Sequence, residues 1–208
     1  MIIFVILFLF LIYYFGFSKD IEKFNTLQNI YNEPLKSCGN SNMSSGSWDS
    51  EGKCSELDNG VHQICVENIS KNAVNFSSRT GQSTWSDERG KDNHCVCLGA
   101  WSLYNAQKKR NDNINLDIYK DNKILKCDAI PKNALTLNYV EDFSEGWNRW
   151  NGLELDKQIK EGVESLFYNC YNENDSKSIN LKQNYCNLAK QVKSLQDSEL
   201  YYLHCVNN

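Results

Sequence analysis

Nine cysteines spread through 208 residues constrain this chain more than any other feature. Their positions divide into two groups. Cys127, Cys170, Cys186 and Cys205 are even in number, and each lies on or beside an apolar stripe, so they read as two disulfides tying a small helical unit together. Three pairings are open to them. Cys38, Cys54, Cys65, Cys95 and Cys97 are odd in number and leave one sulfur over. Cysteine in this quantity, without a zinc-finger repeat, belongs where disulfides persist.

The segment His94-Cys95-Val96-Cys97 leaves three chemistries open. In an extended strand residues i and i+2 share a side, so Cys95 and Cys97 can each reach a different disulfide partner. A bond between the two would close a small, strained ring that is easily reduced, which is the redox reading. The metal reading adds His62, Cys65 and His94, because thiolate and imidazole together suit tetrahedral zinc. The spacings Cys-x-Cys and His-x-x-Cys are looser than a Cys-x-x-Cys knuckle, so structural disulfides come first and no metal site is assigned. His62 lies three residues before Cys65. On a helix they would share a face, and the imidazole could then lower the thiol pKa.

Ile2 to Phe17 is an uncharged apolar run that, as a helix, would cover about 24 Å, just enough to span a bilayer. The lack of a basic leader and the bulky exit Tyr13-Tyr14-Phe15-Gly16-Phe17 predict a retained signal-anchor instead of a cleaved peptide. Lys19 and Lys23 after the span favour a cytoplasmic soluble part. The cysteines favour the opposite side, and they weigh more because the lysines alternate with Asp20 and Glu22. The expected location is a single-pass membrane protein whose soluble part is lumenal, extracellular or on a virion-like particle. Sequons at Asn42, Asn68, Asn75 and Asn174 make it a candidate glycoprotein, although a chain this rich in Asn and Ser should hold about three by chance.

A net charge of -4 excludes a global basic field for nucleic acid, and the run Lys108-Lys109-Arg110 reads as a solvated loop. At 41% hydrophobic residues a sizeable core is expected. The predicted organisation is an anchor over 1–17, a stalk over 18–36, a cysteine-rich α+β domain over 37–150 and a helical extension over 151–208. Ile21, Phe24, Leu27 and Ile30 recur at helical intervals before Pro34 in the stalk. The runs around Ile64 and Val96 fit strand or helix, and Lys123 to Pro131 reads as a short β-like run. Leu155, Ile159, Val163, Leu166 and Cys170 predict a helix capped by Asn151, and Leu181, Tyr185, Leu188, Val192 and Leu195 another capped by Ser178. A last turn or two is expected near Ser198 to Cys205. Trp147 and Trp150, one turn apart, anchor packing or form a stacking platform for sugar rings.

Cys38, Gly52, Cys54, Gly60, His62, Cys65, Gly81, Cys95, Cys97 and Trp101 follow one another in an order that resembles the family called domain of unknown function 2237. The resemblance covers roughly residues 34–101. The chain departs from it in having His94 where the family has Trp, a shorter stretch between Gly81 and Cys95, the anchor and the C-terminal helices. The resemblance implies a domain boundary and a grouping of cysteines; it implies no reaction and no cofactor. Because many of its bacterial members lack export signals, it also implies that thiol and metal chemistry stay open.

The sequence therefore points to a membrane-anchored, disulfide-stabilised binding or structural module with an unknown protein or glycan partner, in preference to an enzyme. No cofactor is called for. The alternatives are a thiol- or zinc-dependent enzyme using His62, Cys65, His94, Cys95 and Cys97, and a glycan-binding module using Trp147 and Trp150.

Overall fold

A computed structural model describes residues 27–39, 49–54, 62–137, 140 and 154–206. The anchor, Trp147, Trp150, Asn151 and the sequon at Asn42 lie outside them. Among the described residues no helix is long and apolar enough to cross a membrane.

The architecture is mixed, a two-stranded sheet with helices, crossed by four disulfides. Strand β1, His62–Val66, pairs antiparallel with β2, His94–Cys97, placing Cys65 opposite Cys95 and Val66 opposite His94, with an irregularity between His62 and Ile64. Both ambiguous apolar runs thus begin as strands. The second changes to helix at once, because α1, Leu98–Asp112, follows Cys97 directly. Its first free amide, on Leu98, donates to Gln63 Oε1 of β1 at 3.1 Å, so the sheet caps the helix from inside the core. Asn113, in the left-handed conformation at φ 52°, ends it.

The basic run Lys108-Lys109-Arg110 is the last part of α1 instead of a loop. Cations there complement the helix dipole. Lys109 also pairs with Glu161 at 2.7 Å, and Lys108 lies over the rings of Tyr104 and Tyr119. The β-like run before Pro131 is not a strand. Leu125 makes one bridge to Val66, Lys126 N donates to the Cys65 carbonyl, and Cys127–Ala129 then turns as a 3-10 helix.

The stalk helix does not continue through Leu27 and Ile30. The Asn29 side chain accepts from the amides of Tyr31 and Glu33, folding the chain into a turn that bridges Gln28 to Pro34. Ile30 is fully buried, the Tyr31 hydroxyl donates to the Cys170 carbonyl, and Asn180 and Asn184 donate to the carbonyls of Tyr31 and Ile30. Residues 27–36 therefore belong to the folded body.

Helix α2, Leu155–Cys170, carries the first predicted apolar stripe; helix α3, Ser178–Ala189, carries Leu181, Tyr185 and Leu188 of the second but ends before Val192 and Leu195, which fall at and within the next turn. Glu154 holds the N-cap position of α2 without a side-chain hydrogen bond. Ser178 is the first residue of α3, not its cap, and its hydroxyl accepts from Asn172 N. Turns at Lys193–Gln196 and Glu199–Tyr201 lead to a π-helical turn at Tyr202–Val206. Helix α2 runs through the centre and packs along α1. At their crossing a Cβ on Gly162 would overlap Ser102 Oγ, so only glycine permits this approach. Trp101 is buried there and its indole donates to Ser165 Oγ at 2.8 Å. One cluster of buried side chains joins β1, β2 and α1 to α2 and α3.

Candidate functional site at the strand pair

The sheet brings the singled-out residues together but gives them different chemical states. Cys65 is bonded to Cys38 and Cys95 to Cys54, while Cys127 is bonded to Cys170 and Cys186 to Cys205. Cys97 keeps a free thiol. The two cysteines of the Cys-x-Cys pair thus have unlike roles: one anchors a loop to the strand, and the other sits opposite His62 at the strand's end.

Burial governs the remaining titratable groups. It pushes the Cys97 thiol up to about 11, with a backbone hydrogen bond opposing. Below that range Cys97 is a protonated, weak nucleophile. Burial also lowers the pKa of His62, so the imidazole opposite Cys97 is neutral near pH 7 and lends no positive charge to a thiolate. His62 lies on a strand, not a helix, and the Cys65 sulfur is already bonded to Cys38, so the postulated His62–Cys65 activation has no thiol to act on.

His94 is 5% exposed, and its ring lies 4.5 Å from that of Trp85, over which Arg89 places its guanidinium. Burial first, then the charges of Arg89 and His62, push its pKa down to about 3. A histidine held neutral against an indole is a packing element. Together these residues form a cross-linked centre in which Cys97 is a weak nucleophile and both histidines are neutral near pH 7.

A second feature had no clear signal in the sequence. At the end of α2 a cavity of about 320 Å³ is lined by Lys120, Phe167, Tyr168, Tyr171, Asn172 and His204. Phe167 stacks beneath Tyr171 at 4.7 Å, His204 packs against both rings, and Lys120 lies over Tyr168 at 4.9 Å. Lys123 donates to the carbonyls of Tyr168 and Tyr171, satisfying the end of α2. The only hint was the aromatic density of "LFYNCY" and "LYYLHC", which names no ligand.

Comparison with family models, curated proteins and solved structures finds no match to this chain.

Proposed function

We propose that this chain is a membrane-anchored, disulfide-stabilised module that binds or scaffolds and does not catalyse, its soluble part facing an oxidising compartment. The observation that carries this reading is the sulfur inventory: eight cysteines are consumed in four disulfides, and the ninth, Cys97, is a thiol that burial holds protonated. Each bridge closes a loop of 19 to 43 residues, and loop-closure reasoning gives about 3 to 4 kcal/mol apiece. The uncharged run Ile2 to Phe17 supports the anchor, and the motif order from Cys38 to Trp101 supports the likeness to domain of unknown function 2237. Binding is best placed at the cleft of Tyr168, Tyr171 and His204, where half-buried aromatic rings meet the side-chain amide of Asn172.

Alkylation before and after reduction, with mass spectrometry on the chain from its native membrane, tests the proposal. One thiol, at Cys97, is expected. Three or more thiols in the native chain would overturn the scaffold reading.

A further inference from the structure

Three of the four buried sulfurs of the N-terminal half lie close to one another, and the fourth is bonded to one of them. The Sγ atoms of Cys38, Cys54 and Cys65 are all within 4.8 Å of one another, and the sulfur of Cys95 is bonded to that of Cys54. Two disulfides are therefore neighbours, not remote staples. All four residues are at most 1% exposed.

We propose that Cys38, Cys54, Cys65 and Cys95 form one tetrathiolate zinc site when reduced, so that the same sulfurs hold this half together as two disulfides or around one metal ion. The inference stands apart from the compartment assigned above, since it concerns the reduced chain. Tetrahedral zinc holds thiolates at about 2.3 Å, which places neighbouring sulfurs about 3.8 Å apart. Reaching that arrangement takes an opening within each bonded pair and the approach of the Cys95 sulfur to those of Cys38 and Cys65.

The backbone supplies the ligands as such a site needs them. Cys65 and Cys95 face each other across the strand pair, fixed by its register. Cys38 and Cys54 come from two short segments tied together at Gly52, whose carbonyl accepts from the amides of Cys38 and Gly39. Those ties involve no sulfur, so reduction does not itself break them. Gly52 turns the second segment at φ +75°, where a Cβ would collide with Gly39 and Ser37. Four thiolates around zinc carry a net charge of -2, and cations stand along the ligand segments. Lys126 donates to the Ser37 carbonyl at 2.7 Å, its amide donates to the carbonyl of Cys65, and Lys53 precedes Cys54. His62 and Cys97 pair at the other end of the strands and stay outside the set. The ligands are thus not the Cys-x-Cys pair with its histidines, but one cysteine of that pair with three others.

The exchange balances with a dithiol as reductant. Two dithiols deliver four electrons and four protons to the two disulfides and become disulfides themselves. The four resulting thiols then form four S–Zn bonds and release four protons.

The test uses the full chain, produced in a reducing cytosol with zinc in the medium, purified anaerobically in detergent and analysed for bound metal. About one zinc per chain is expected, falling at least tenfold in Cys54→Ser and in Cys65→Ser. Cys97→Ser and the double variant Cys186→Ser/Cys205→Ser should keep it. Because a serine variant can fail to fold, the reduced wild-type chain is also stripped with a chelator and titrated with Co²⁺. Thiolate-to-cobalt charge transfer and the absorption of a tetrahedral site, saturating at one equivalent, are expected. A reduced chain without bound metal, or one whose zinc persists in Cys54→Ser and Cys65→Ser, would overturn the proposal. Four native disulfides with no zinc in the reduced chain would defeat this inference alone; zinc binding with five native thiols would defeat the scaffold reading alone.

Discussion

The two halves of the molecule use disulfides in opposite ways. In the N-terminal half the regular structure before α1 is two strands of five and four residues and two four-residue helices, Ile69–Asn72 and Phe76–Arg79, and the sulfurs of Cys38, Cys54, Cys65 and Cys95 are buried among Ile64, Val66, Ile69, Phe76 and Val96. In the C-terminal half α2 buries a long apolar stripe, packing against α1 and against α3. There Cys127, Cys186 and Cys205 are only partly buried, at the edge of a core that packs without them. Cross-links reinforce a core built from short elements in the first half, and they lock long helices in the second.

If that contrast is right, Cys54→Ala/Cys95→Ala should have the largest effect. Losing a loop closure of 41 residues removes about 4 kcal/mol, with more from the buried void. Chemical denaturation and loss of amide protection at His62–Val66 would register it. Cys186→Ala/Cys205→Ala, which opens a loop of 19 residues, should cost at most about 3 kcal/mol and leave the far-ultraviolet dichroism of the helices unchanged. Equal losses from the two pairs would break the comparison.

Gly162→Ala probes the packing that makes the C-terminal half self-sufficient. Overlap with Ser102 should cost about 1 to 3 kcal/mol, recovered in part by a second change, Ser102→Gly. Full stability in the single variant would mean that the helices do not cross this closely.

Acid should weaken the N-terminal half first. The folded-state pKa of His94 is depressed to about 3, so the unfolded chain binds the extra proton below its ordinary value near 6.5. Stability is complete above about pH 6.5 and falls as the pH drops, by about 2 kcal/mol at pH 5. Burial of His62 acts in the same direction. Denaturation curves of wild type and His94→Phe between pH 5 and 7 would show the slope reduced in the variant.

The smallest effect is expected at Cys97. Cys97→Ala should change stability by less than about 1 kcal/mol. In the native chain its alkylation at pH 8 should run about a hundredfold slower than that of an exposed thiol, because its pKa is near 11 instead of 9.

The same contrast explains what the sequence made legible. The stripe from Leu155 to Cys170 was readable because a helix with one apolar neighbour repeats every three or four residues. The other faces of α2 were not, although Gln158, Glu161, Glu164, Ser165 and Asn169 are buried too. Their partners, Trp101 for Ser165, Lys109 for Glu161 and the Ile124 amide for Asn169, come from segments far away in sequence. Likewise the even and odd cysteine groups could be counted, but the different fates of Cys95 and Cys97 depend on where loops without periodicity bring Cys54. The predicted stalk helix does not reach Leu27 and Ile30 for a local reason: the side chain of Asn29 offers its backbone a turn. The cleft at Tyr168 and Tyr171 arises from the meeting of α2 with the Tyr202–Val206 turn, a contact without a sequence period.

Hydrogen exchange on the fully reduced chain, with a chelator present, separates a half that depends on its sulfur bonds from one that packs largely without them. Amides of α2 and α3 are expected to keep measurable protection while those of β1 and β2 exchange freely. Simultaneous loss of protection in both halves, or strands that stay protected without sulfur bonds or metal, would contradict it.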